Sequence, residues 1–471
     1  MQSTSRRLLG AALAFTALSM IAVGCSTSDS DGSSSSSGSS TTSASGGKTL
    51  TVPGDYKTIQ AAVDAAKTGD LVLISDGIYK EAVDVTTPNI TIRGLDRNKV
   101  ILDGGFKLEN GIRVLDTNGV TVENMTARNY LSNGFYWTGS DYYRGSYLTA
   151  YRNGDYAIYG FDAYHGQLDH SMGAGSPDAG FYIGECYKCD AVIDTVISQD
   201  NGLGYSGTNS GGDLYIINST FKNNRAGIVP NAGSYEGCYP GRRNTIVGNI
   251  VHDNNNNKAD AIDNALLGQG NGILLAGSVD NDVERNLVYN HDRTGIAAVP
   301  FPEDDANDVP PPKSDWDKPC DPKKKVDPKN ANPGLVLWNG TDNRIVGNVV
   351  SNSKLADLAS ATIPDESKGI TIEGLNNCFS DNTFTTSSPT DIETLAPCKG
   401  TGSGDWTKGN FDLTVLIADK APAPPKNTYR RSPIPALQPN MPNAATAPAP
   451  VFKGPKKPNV AAIQVPEKPA S

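Results

Sequence analysis

The chain has 471 residues, a formal net charge of −10, 37% hydrophobic residues and 49 glycines. The acidic balance argues against a nucleic-acid partner, because no surplus of basic residues is available to neutralise phosphates. Low hydrophobicity with abundant glycine favours an elongated β-solenoid over a compact sphere, since a narrow core needs few apolar side chains per turn.

The first residues have the pattern of an export signal. Arg6 and Arg7 precede an apolar stretch that is too short and wrongly flanked for a stable transmembrane span. The small residues that follow resemble a bacterial lipobox, which implies removal of residues 1–24 and lipid attachment at Cys25; the alternative is an ordinary secretory signal with an incidental cysteine. Residues 25–47 have the Ser-, Thr- and Gly-rich composition of a flexible tether.

Six further cysteines predict disulfides, because an even number in an exported chain is typical of a disulfide framework. The pairings we favour are Cys186–Cys189, Cys238–Cys320 and Cys378–Cys398. The alternative for the first pair is a redox or zinc site, although no second CxxC motif or βαβ context supports it.

The first structured segment combines short strands with one helix. Residues 55–66 have apolar residues on one helical face and Asp55 as the expected N-cap. This helix is expected to cover the open end of the first turn, where core side chains and strand edges would otherwise meet water.

The run TVPGDYKTIQAAVDAAKTGDLVLISDGIYKEAVDV, followed by ITIRG and ILDGG, resembles the amino-terminal segment of right-handed parallel β-helix proteins. These include pectate lyases, pectin methylesterases, polysaccharide epimerases and periplasmic NosD-type proteins. The resemblance covers residues 48 to 385 and implies an all-β, right-handed parallel β-helix. It does not select one activity, because the catalytic phrases of the named pectin enzymes are missing.

A sequence repeat also predicts a parallel β-helix, which we expect to extend over residues 48–415. A glycine or alanine starts an apolar triplet at 111, 134, 157, 180, 204 and 227, so the steps are 23, 23, 23, 24 and 23 residues. Such a period indicates stacked turns of backbone. The first residue after each start should point inward, which gives a core row: Ile112, Phe135, Ile158, Phe181, Tyr205, Ile228, Ile273, Ile296, Leu335 and Ile370.

A second column is expected at a corner of each turn, where stacked Asn side chains bond each other and the backbone. Its predicted members are Asn124, Leu148, His170, Thr195, Asn218, Asn249, Asn286, Asn348 and Asn382. His170 in this column is explained either by a structural corner or by chemistry.

Three insertions interrupt the period, and the chain ends in a tail. The insertions are expected at Ser234–Arg243 with Asn254–Gln269, at Phe301–Pro333 and at Lys354–Ser367. Loops on one face of a solenoid often build a binding wall. Asp412–Ile417 is the last expected strand, and residues 416–471 form a Pro- and Ala-rich tail.

The outward row beside the core row is aromatic. It consists of Arg113, Tyr136, Tyr159, Tyr182, Ser206 and Val229. Exposed tyrosines in successive turns suit sugar rings, whose C–H faces stack on π systems. The alternative is a self-stacked aromatic ladder that only stabilises the surface.

Polar residues concentrate in the same turns. The catalytic candidates are Asp162, Asp169, His170, Asp178 and Glu185, and the additional substrate-binding candidates are His165, Asp213 and Arg225. A lyase or epimerase needs a base and a group that stabilises the developing charge, whereas a hydrolase needs two carboxyl groups that flank the bond. Carboxylates of neighbouring turns also suit Ca²⁺, which is the candidate cofactor.

The sequence therefore predicts an exported, lipid-anchored β-helix, expected to be a monomer, that binds a polysaccharide along the outer face of residues 136–213. Cleavage or epimerisation of an acidic polysaccharide is the enzymatic hypothesis. The alternatives are a non-catalytic glycan- or protein-binding surface protein and a NosD-like accessory factor, although no Met- or His-rich metal tract favours the latter.

Overall fold

The computed structural model of this chain describes residues 47–320 and 334–469, which belong to one compact unit. The predicted signal, the lipidation site Cys25 and the tether up to residue 46 lie outside the described residues. No helix in the described part of the chain is both long and apolar enough to cross a membrane.

The described residues form mainly short strands. In chain order, β1 to β17 are Thr49–Val52, Leu71–Ile74, Gly77–Tyr79, Val83–Val85, Thr91–Gly94, Val100–Asp103, Ile112–Leu115, Thr121–Arg128, Phe135–Thr138, Arg144–Tyr151, Ile158–Phe161, Gln167–Asp169, Met172–Ala174, Ala179–Gly184, Cys186–Tyr187, Ala191–Asp194 and Ile197–Gln199. Strands β18 to β34 are Leu203–Thr208, Ser210–Ile217, Thr220–Lys222, Ala226–Asn231, Arg242–Val247, Ile250–His252, Ile273–Ala276, Asp282–Glu284, Leu287–His291, Thr294–Val299, Phe301–Asp304, Leu335–Trp338, Arg344–Val346, Val349–Ser353, Ala356–Ser360, Cys378–Ser380 and Ser387–Ser388.

Within the described residues, helices are few and short. The α-helices α1 to α4 are Ile59–Ala65, Asp263–Gly268, Ile392–Leu395 and Leu413–Ala418, and the 3-10 turns are Lys313–Asp315, Glu366–Lys368, Glu373–Leu375, Thr428–Arg431 and Val460–Ala462.

Parallel pairing between successive turns makes this chain a right-handed parallel β-helix, as the sequence predicts. One 21-stranded sheet, called sheet A, contains β8, β10, β12, β16 and β19, and an 11-stranded sheet, called sheet B, contains β9, β11, β14 and β18. Each turn contributes strands to both sheets, so side chains at one register position stack along the solenoid.

The inward row is confirmed from the first turn to Ile296. Each member pairs in register with the next one along the solenoid, and all of the side chains are buried. In order, they are Ile112, Phe135, Ile158, Phe181, Tyr205, Ile228, Ile273 and Ile296. The predicted continuation is wrong at Leu335 and Ile370. Leu358 follows Ile296 in the stack, whereas Leu335 is 54% exposed in an antiparallel hairpin of β28 and β29.

The physical reason is that the glycine of the triplet is dispensable. In the turn after Ile296, Asp357 stands where Gly295 stands, and the buried run Ala356–Ser360 forms β32 within the stretch that was expected to be an insertion. Gly334 and Gly369 do not start core triplets, so the prediction that counted from them put Leu335 and Ile370 in the core row incorrectly.

A short helix lies at each end of the solenoid, α1 at the first turn and α3, which contacts β33, at the last. Helix α1 contacts β1, β2 and β4 and buries Ile59, Ala62 and Val63, which confirms the predicted capping helix. Its N-cap is Thr58, which accepts a hydrogen bond from the Ala61 N–H; Asp55 instead accepts from Thr51. The expected last strand, 412–417, is helix α4, whose N-cap Asp412 accepts from the Thr414 N–H.

The Asn column is confirmed in part. Asn249, Asn286, Asn348 and Asn382 form a ladder of amide-to-amide hydrogen bonds of 2.9–3.0 Å. The other predicted polar members belong to the neighbouring register position, where the backbone is left-handed: Asn124, His170, Thr195 and Asn218 have φ between 48° and 57°. The predicted member Leu148 is a buried residue of the hydrophobic core. Asn suits both positions, so its recurrence did not separate them.

The six described cysteines form the three disulfides that the sequence favours, Cys186–Cys189, Cys238–Cys320 and Cys378–Cys398. Such bonds are typical of proteins outside the reducing cytoplasm. They support an extracellular or periplasmic location.

Candidate functional site

The outer face of sheet B carries the predicted row of tyrosines. Arg113, Tyr136, Tyr159 and Tyr182 occupy one register position on successive turns, followed by Ser206. The strands hold these side chains outward because residues on either side of them point into the core.

The tyrosine rings stack on each other. The ring centroids are 5.0 Å apart between Tyr136 and Tyr159 and 4.7 Å apart between Tyr159 and Tyr182. Tyr156 lies beside them, 4.6 Å from Tyr159. Both faces of the Tyr159 ring are thus covered, and Tyr182 is only 1% exposed. The rings therefore form the self-stacked aromatic ladder expected as the alternative to a sugar-binding platform. A sugar would meet the edges and hydroxyl groups of the tyrosines rather than their ring faces.

Two aspartates lie where two successive turns enter sheet B. Asp155 and Asp178 are linked through their backbones, because the Asp178 N–H donates to the Asp155 carbonyl at 3.1 Å. Burial, followed by the charge of Asp155, raises the pKa of Asp178 well above its usual range. Burial also raises the pKa of Asp155. Asp178 is buried and Asp155 is partly buried. Because adjacent carboxylates repel each other where water screens them poorly, the pair favours retention of a proton.

A third carboxyl group comes from the first insertion. The Tyr182 hydroxyl donates to Glu236 Oε2 at 2.6 Å, so Glu236 lies over the tyrosine ladder. Burial, with smaller contributions from Glu185 and Asp178, raises the pKa of Glu236 to about 8. This glutamate is therefore protonated at neutral pH.

Glu185 and Asp162 stand at the corner where sheet B ends. Both have left-handed backbone, with φ of 51° and 47°. Glu185 accepts a hydrogen bond from the Gly237 N–H at 3.1 Å, and burial followed by the Asp162 charge raises its pKa, to about 7. Asp162 hydrogen-bonds Tyr164. The two predicted residues thus lie near each other and beside the insertion.

His165 follows in the same corner. Its Nδ1 is 2.9 Å from Asp190 Oδ2, and its ring stacks on Tyr142 with centroids 4.8 Å apart. Asp190 and the Tyr142 ring thus hold the His165 imidazole on two sides.

The structure separates Asp169 and His170 from this group, because both lie on sheet A. Asp169 is 2% exposed and accepts hydrogen bonds from Gln167, at 2.8 Å, and from Arg144, at 3.2 Å. Burial would raise its pKa, but the hydrogen bond with His170 and the charge of Arg144 prevail and lower it. The same hydrogen bond raises the pKa of His170, whose ring stacks on Tyr147.

Two of the predicted substrate-binding residues are engaged elsewhere. Arg113 forms an ion pair with Asp84 at 2.8 Å. Asp213 lies on sheet A and pairs with Lys457 at 2.9 Å. Neither Arg113 nor Asp213 contacts the carboxyl groups of Asp155, Asp178 or Glu236 through these ion pairs.

Arg225, which the sequence predicted to bind substrate, is buried and out of reach of a ligand at the surface. Arg225 is 0% exposed, and its guanidinium donates to the Ala259 carbonyl and the Asn257 carbonyl, each at 2.8 Å, and to Gln269. It holds the insertion around α2 against the solenoid.

Sequence reasoning missed Asp155, Tyr156 and Glu236. Asp155 and Tyr156 stand in the turn phrase NGDYA, directly before an apolar triplet, and this position faces the next turn's Asp178. Glu236 is in the phrase SYEGCYP, where its neighbour Cys238 marks a loop that is tied down. The sequence pattern that could have indicated Glu236 is a carboxylate two residues before a disulfide-bonded cysteine in an inserted loop.

Within residues 47–320 and 334–469, no group of three or more His, Cys, Asp or Glu side chains is arranged to hold a metal ion. The Ca²⁺ expectation stays a prediction.

Comparisons with known proteins give similarity of architecture only. No family model matches the chain, and no curated protein matches it. Among solved structures, the A-module of mannuronan C-5 epimerase AlgE4 from Azotobacter vinelandii is 13% identical, with a TM-score of 0.46, over 74% of this chain and 95% of that chain.

Two further similar structures are lyases by name. An alginate lyase from Paenibacillus sp. str. FPU-7 is 14% identical, with a TM-score of 0.38, over 73% of this chain and 96% of that chain. A mannuronic acid specific polysaccharide family 6 lyase from human gut microbiota is 13% identical, with a TM-score of 0.36, over 71% and 87% of the two chains. At these identities, the substrates in the names belong to those proteins alone.

Proposed function

We propose that this protein binds a polysaccharide along the outer face of sheet B and acts on it by acid–base catalysis. The observation that carries the proposal is the gathering of protonated and ionised carboxyl groups around the tyrosine ladder. Asp155, Asp178 and Glu236 come from three separate segments, and buried carboxyl groups with shifted pKa values concentrate at functional sites.

The roles of these groups follow from their protonation. Glu236, with its pKa raised to about 8, is a proton donor at neutral pH. The Asp155–Asp178 pair is the proton acceptor, because it carries a negative charge once one of its two carboxyl groups has lost its proton. A donor and an acceptor with separated pKa values are what a glycosidic bond requires.

Hydrolysis and elimination use such a pair differently. In hydrolysis, the acid protonates the glycosidic oxygen while the carboxylate accepts a proton from the attacking water. In elimination from a uronate, the carboxylate accepts the proton α to the sugar carboxyl group, and the acid protonates the leaving oxygen. We assign Glu236 to the acid in both cases.

The charge of the face bears on the substrate. Arg113, at the edge of the tyrosine row, is already paired with Asp84. A neutral polysaccharide is therefore expected to bind without added ions, whereas a uronate polymer needs a cation such as Ca²⁺ between the two sets of carboxylates.

The test uses the full chain with a panel of neutral and uronate-containing polysaccharides, with and without Ca²⁺. Thermal shift reports binding, absorbance of unsaturated uronate reports elimination, and new reducing ends without absorbance report hydrolysis. Glu236→Gln should lower turnover at least 100-fold while binding persists, since general acid catalysis contributes about 10²–10⁴-fold.

The matched control is Asp169→Asn, which removes one buried carboxylate from sheet A. Its turnover should equal that of the unsubstituted chain. Loss of turnover in the control with normal turnover in Glu236→Gln would move the active site to sheet A. Binding without turnover for every substrate would favour the non-catalytic surface protein, an alternative that the self-stacked tyrosines support.

We also propose that the protein is exported, lipid-anchored at Cys25 and monomeric, with residues 25–47 as its tether. The three disulfides support export. Mass spectrometry of the membrane fraction should find residue 25 lipidated at the new amino terminus, and Cys25→Ala should release the protein from that fraction. Retention of the variant in the membrane would contradict the anchor.

A further inference from the structure

The C-terminal residues 438–469, called the strap, lie along the outer face of sheet A. They begin at Asn98, whose side chain exchanges two hydrogen bonds with the Gln438 backbone at 2.9 and 3.0 Å. Farther along the strap, Lys457 pairs with Asp213, and Ile463 contacts Arg285. The strap thus spans many turns of the solenoid without entering a strand of sheet A.

Arginines of the solenoid bind the main chain of the strap. The Arg93 guanidinium is buried and donates to the Ala447 carbonyl at 2.6 Å and the Pro448 carbonyl at 3.0 Å. Arg285 donates to the carbonyls of Val460, at 2.9 Å, and Ile463, at 2.8 Å. Carbonyl acceptors are present on every residue, including proline, which has no N–H to donate.

The composition of the strap suits this mode of binding. Eight of its residues are proline: 439, 442, 448, 450, 455, 458, 466 and 469. Proline favours an extended backbone whose carbonyls face outward and which loses little entropy when it is bound.

Lysines of the strap meet aromatic and acidic side chains of sheet A. Lys457 Nζ is 2.9 Å from Asp213 Oδ1 and 5.8 Å from the centroid of the Tyr215 ring. Lys468 Nζ lies 4.3 Å from the centroid of the Tyr289 ring. These are cation–π and ion-pair contacts, which are typical of recognition at a surface.

The second half of the strap does not fill the space beneath it. A cavity of about 570 Å³ lies between sheet A and residues 452–458, with Arg144, Gln167 and Asp194 in its lining. Another, of about 470 Å³, lies beneath residues 462–466. Both spaces are open at the surface, so the second half of the strap is held at separate anchors and does not pack continuously against sheet A.

We propose that the outer face of sheet A is a binding groove for an extended, proline-rich, lysine-containing polypeptide, and that the strap is its tethered occupant. The groove lies over the ion pairs of Arg93, Glu123 and Arg144 and beside Asp169, so the occupied state shields this charged cluster from solvent. The proposal does not depend on the chemistry of sheet B.

The experiment separates the strap from the solenoid without removing it. A protease recognition sequence is inserted in the full chain between Ile434 and Leu437, which are 64% and 81% exposed. After cleavage, the fragment should co-elute with the solenoid on gel filtration. An excess of labelled synthetic peptide of residues 438–469 should then replace it, and a peptide with the same composition in scrambled order should not.

Substitutions identify the anchors. Arg285→Ala should speed loss of the cleaved fragment at least tenfold, because it removes two charge-assisted hydrogen bonds. The control Arg344→Ala removes another arginine that pairs with Glu284 but does not touch the strap, and it should leave the rate unchanged. Within the strap, Lys457→Ala should speed release severalfold, and Lys453→Ala should not.

Two outcomes would overturn the proposal. A fragment that cannot be exchanged until the solenoid itself unfolds would make the strap an integral part of the fold. A fragment that leaves at once, together with no binding of the synthetic peptide, would mean that the groove does not recognise it.

Discussion

Glu236 shows how one residue acquires its chemistry from tertiary surroundings. Its carboxyl group accepts from the Tyr182 hydroxyl at 2.6 Å and lies near the charges of Glu185 and Asp178. Burial of Glu236 between its own loop and sheet B disfavours the ionised form, so the proton is retained to a pKa of about 8.

A raised carboxyl pKa makes stability depend on pH in a defined direction. In the unfolded chain Glu236 loses its proton near pH 4.5, whereas the folded chain holds it to about pH 8. Between these values the folded state binds more protons, so the free energy of unfolding falls as pH rises through this window. Asp178 and Glu185 act in the same direction, because their pKa values are also raised.

We therefore expect Glu236→Gln to flatten this pH dependence and to raise the free energy of unfolding at pH 8 by up to about 4 kcal/mol. Urea denaturation at pH 5 and pH 8 measures both effects. Asp169→Asn is the control, because the lowered pKa of Asp169 makes its ionised form stabilising, so its loss should destabilise at pH 8. Equal slopes for Glu236→Gln and the unsubstituted chain would contradict the assignment.

At the scale of elements, the solenoid turns are joined by side-chain ladders as well as by strands. Asn286 is fully buried; its Oδ1 accepts from the backbone and side chain of Asn249, each at 3.0 Å, and its amide donates to Asn348 at 2.9 Å. Each amide thus satisfies polar groups of two neighbouring turns in a place that water does not reach.

Asn286→Ala should lower the free energy of unfolding by about 2–4 kcal/mol, since it leaves two buried donors of Asn249, the backbone N–H and a side-chain N–H, without their acceptor. It also removes the side-chain donor to the Ile246 carbonyl, whereas Asn348 keeps its bond from the backbone N–H of residue 286. Asn257→Ala is the matched control, because the Asn257 side chain is exposed and its contact with Arg225 uses the backbone carbonyl, which alanine keeps. The variant should stay within about 0.5 kcal/mol of the unsubstituted chain. Chemical denaturation of both variants gives the comparison, and equal losses would argue against the ladder as a stabilising element.

At the scale of the molecule, the disulfide Cys238–Cys320 links two insertions that are 82 residues apart in the chain. One of them carries Glu236 to the sheet B face, and Tyr239 in the same loop hydrogen-bonds Asp308 of the other at 2.5 Å. The wall beside the candidate site is thus fixed by contacts between insertions rather than by the repeat.

Replacing Cys238 and Cys320 with serine should lower the free energy of unfolding by about 4 kcal/mol through the greater entropy of the unfolded chain. The pKa of Glu236 should also fall toward its ordinary value, because release of the loop that carries Glu236 exposes its carboxyl group to water. Denaturant titration and the pH profile of unfolding measure the two effects. Unchanged pH dependence in the double variant would show that the loop is held without the disulfide.

The sequence by itself determined the architecture, because a parallel β-helix is specified by local periodicity. The step of 23 residues placed Ile112, Phe135 and their successors in one inward stack, and the outward tyrosines followed from alternation along the strand. The disulfide pairing favoured from the cysteine positions is the one observed, but the count alone left other pairings open.

Tertiary structure alone decided what depends on turns of unequal length and on distant segments. The stack passes to Leu358 rather than Leu335, because Asp357 occupies a position that the pattern reserved for glycine. Asp169 and His170 belong to sheet A, whereas Glu185 and Asp162 lie at the end of sheet B, since each turn of the backbone distributes neighbouring residues over different faces. Glu236 reaches the tyrosines, and the strap reaches sheet A, through contacts between residues far apart in the chain, which no repeat period encodes.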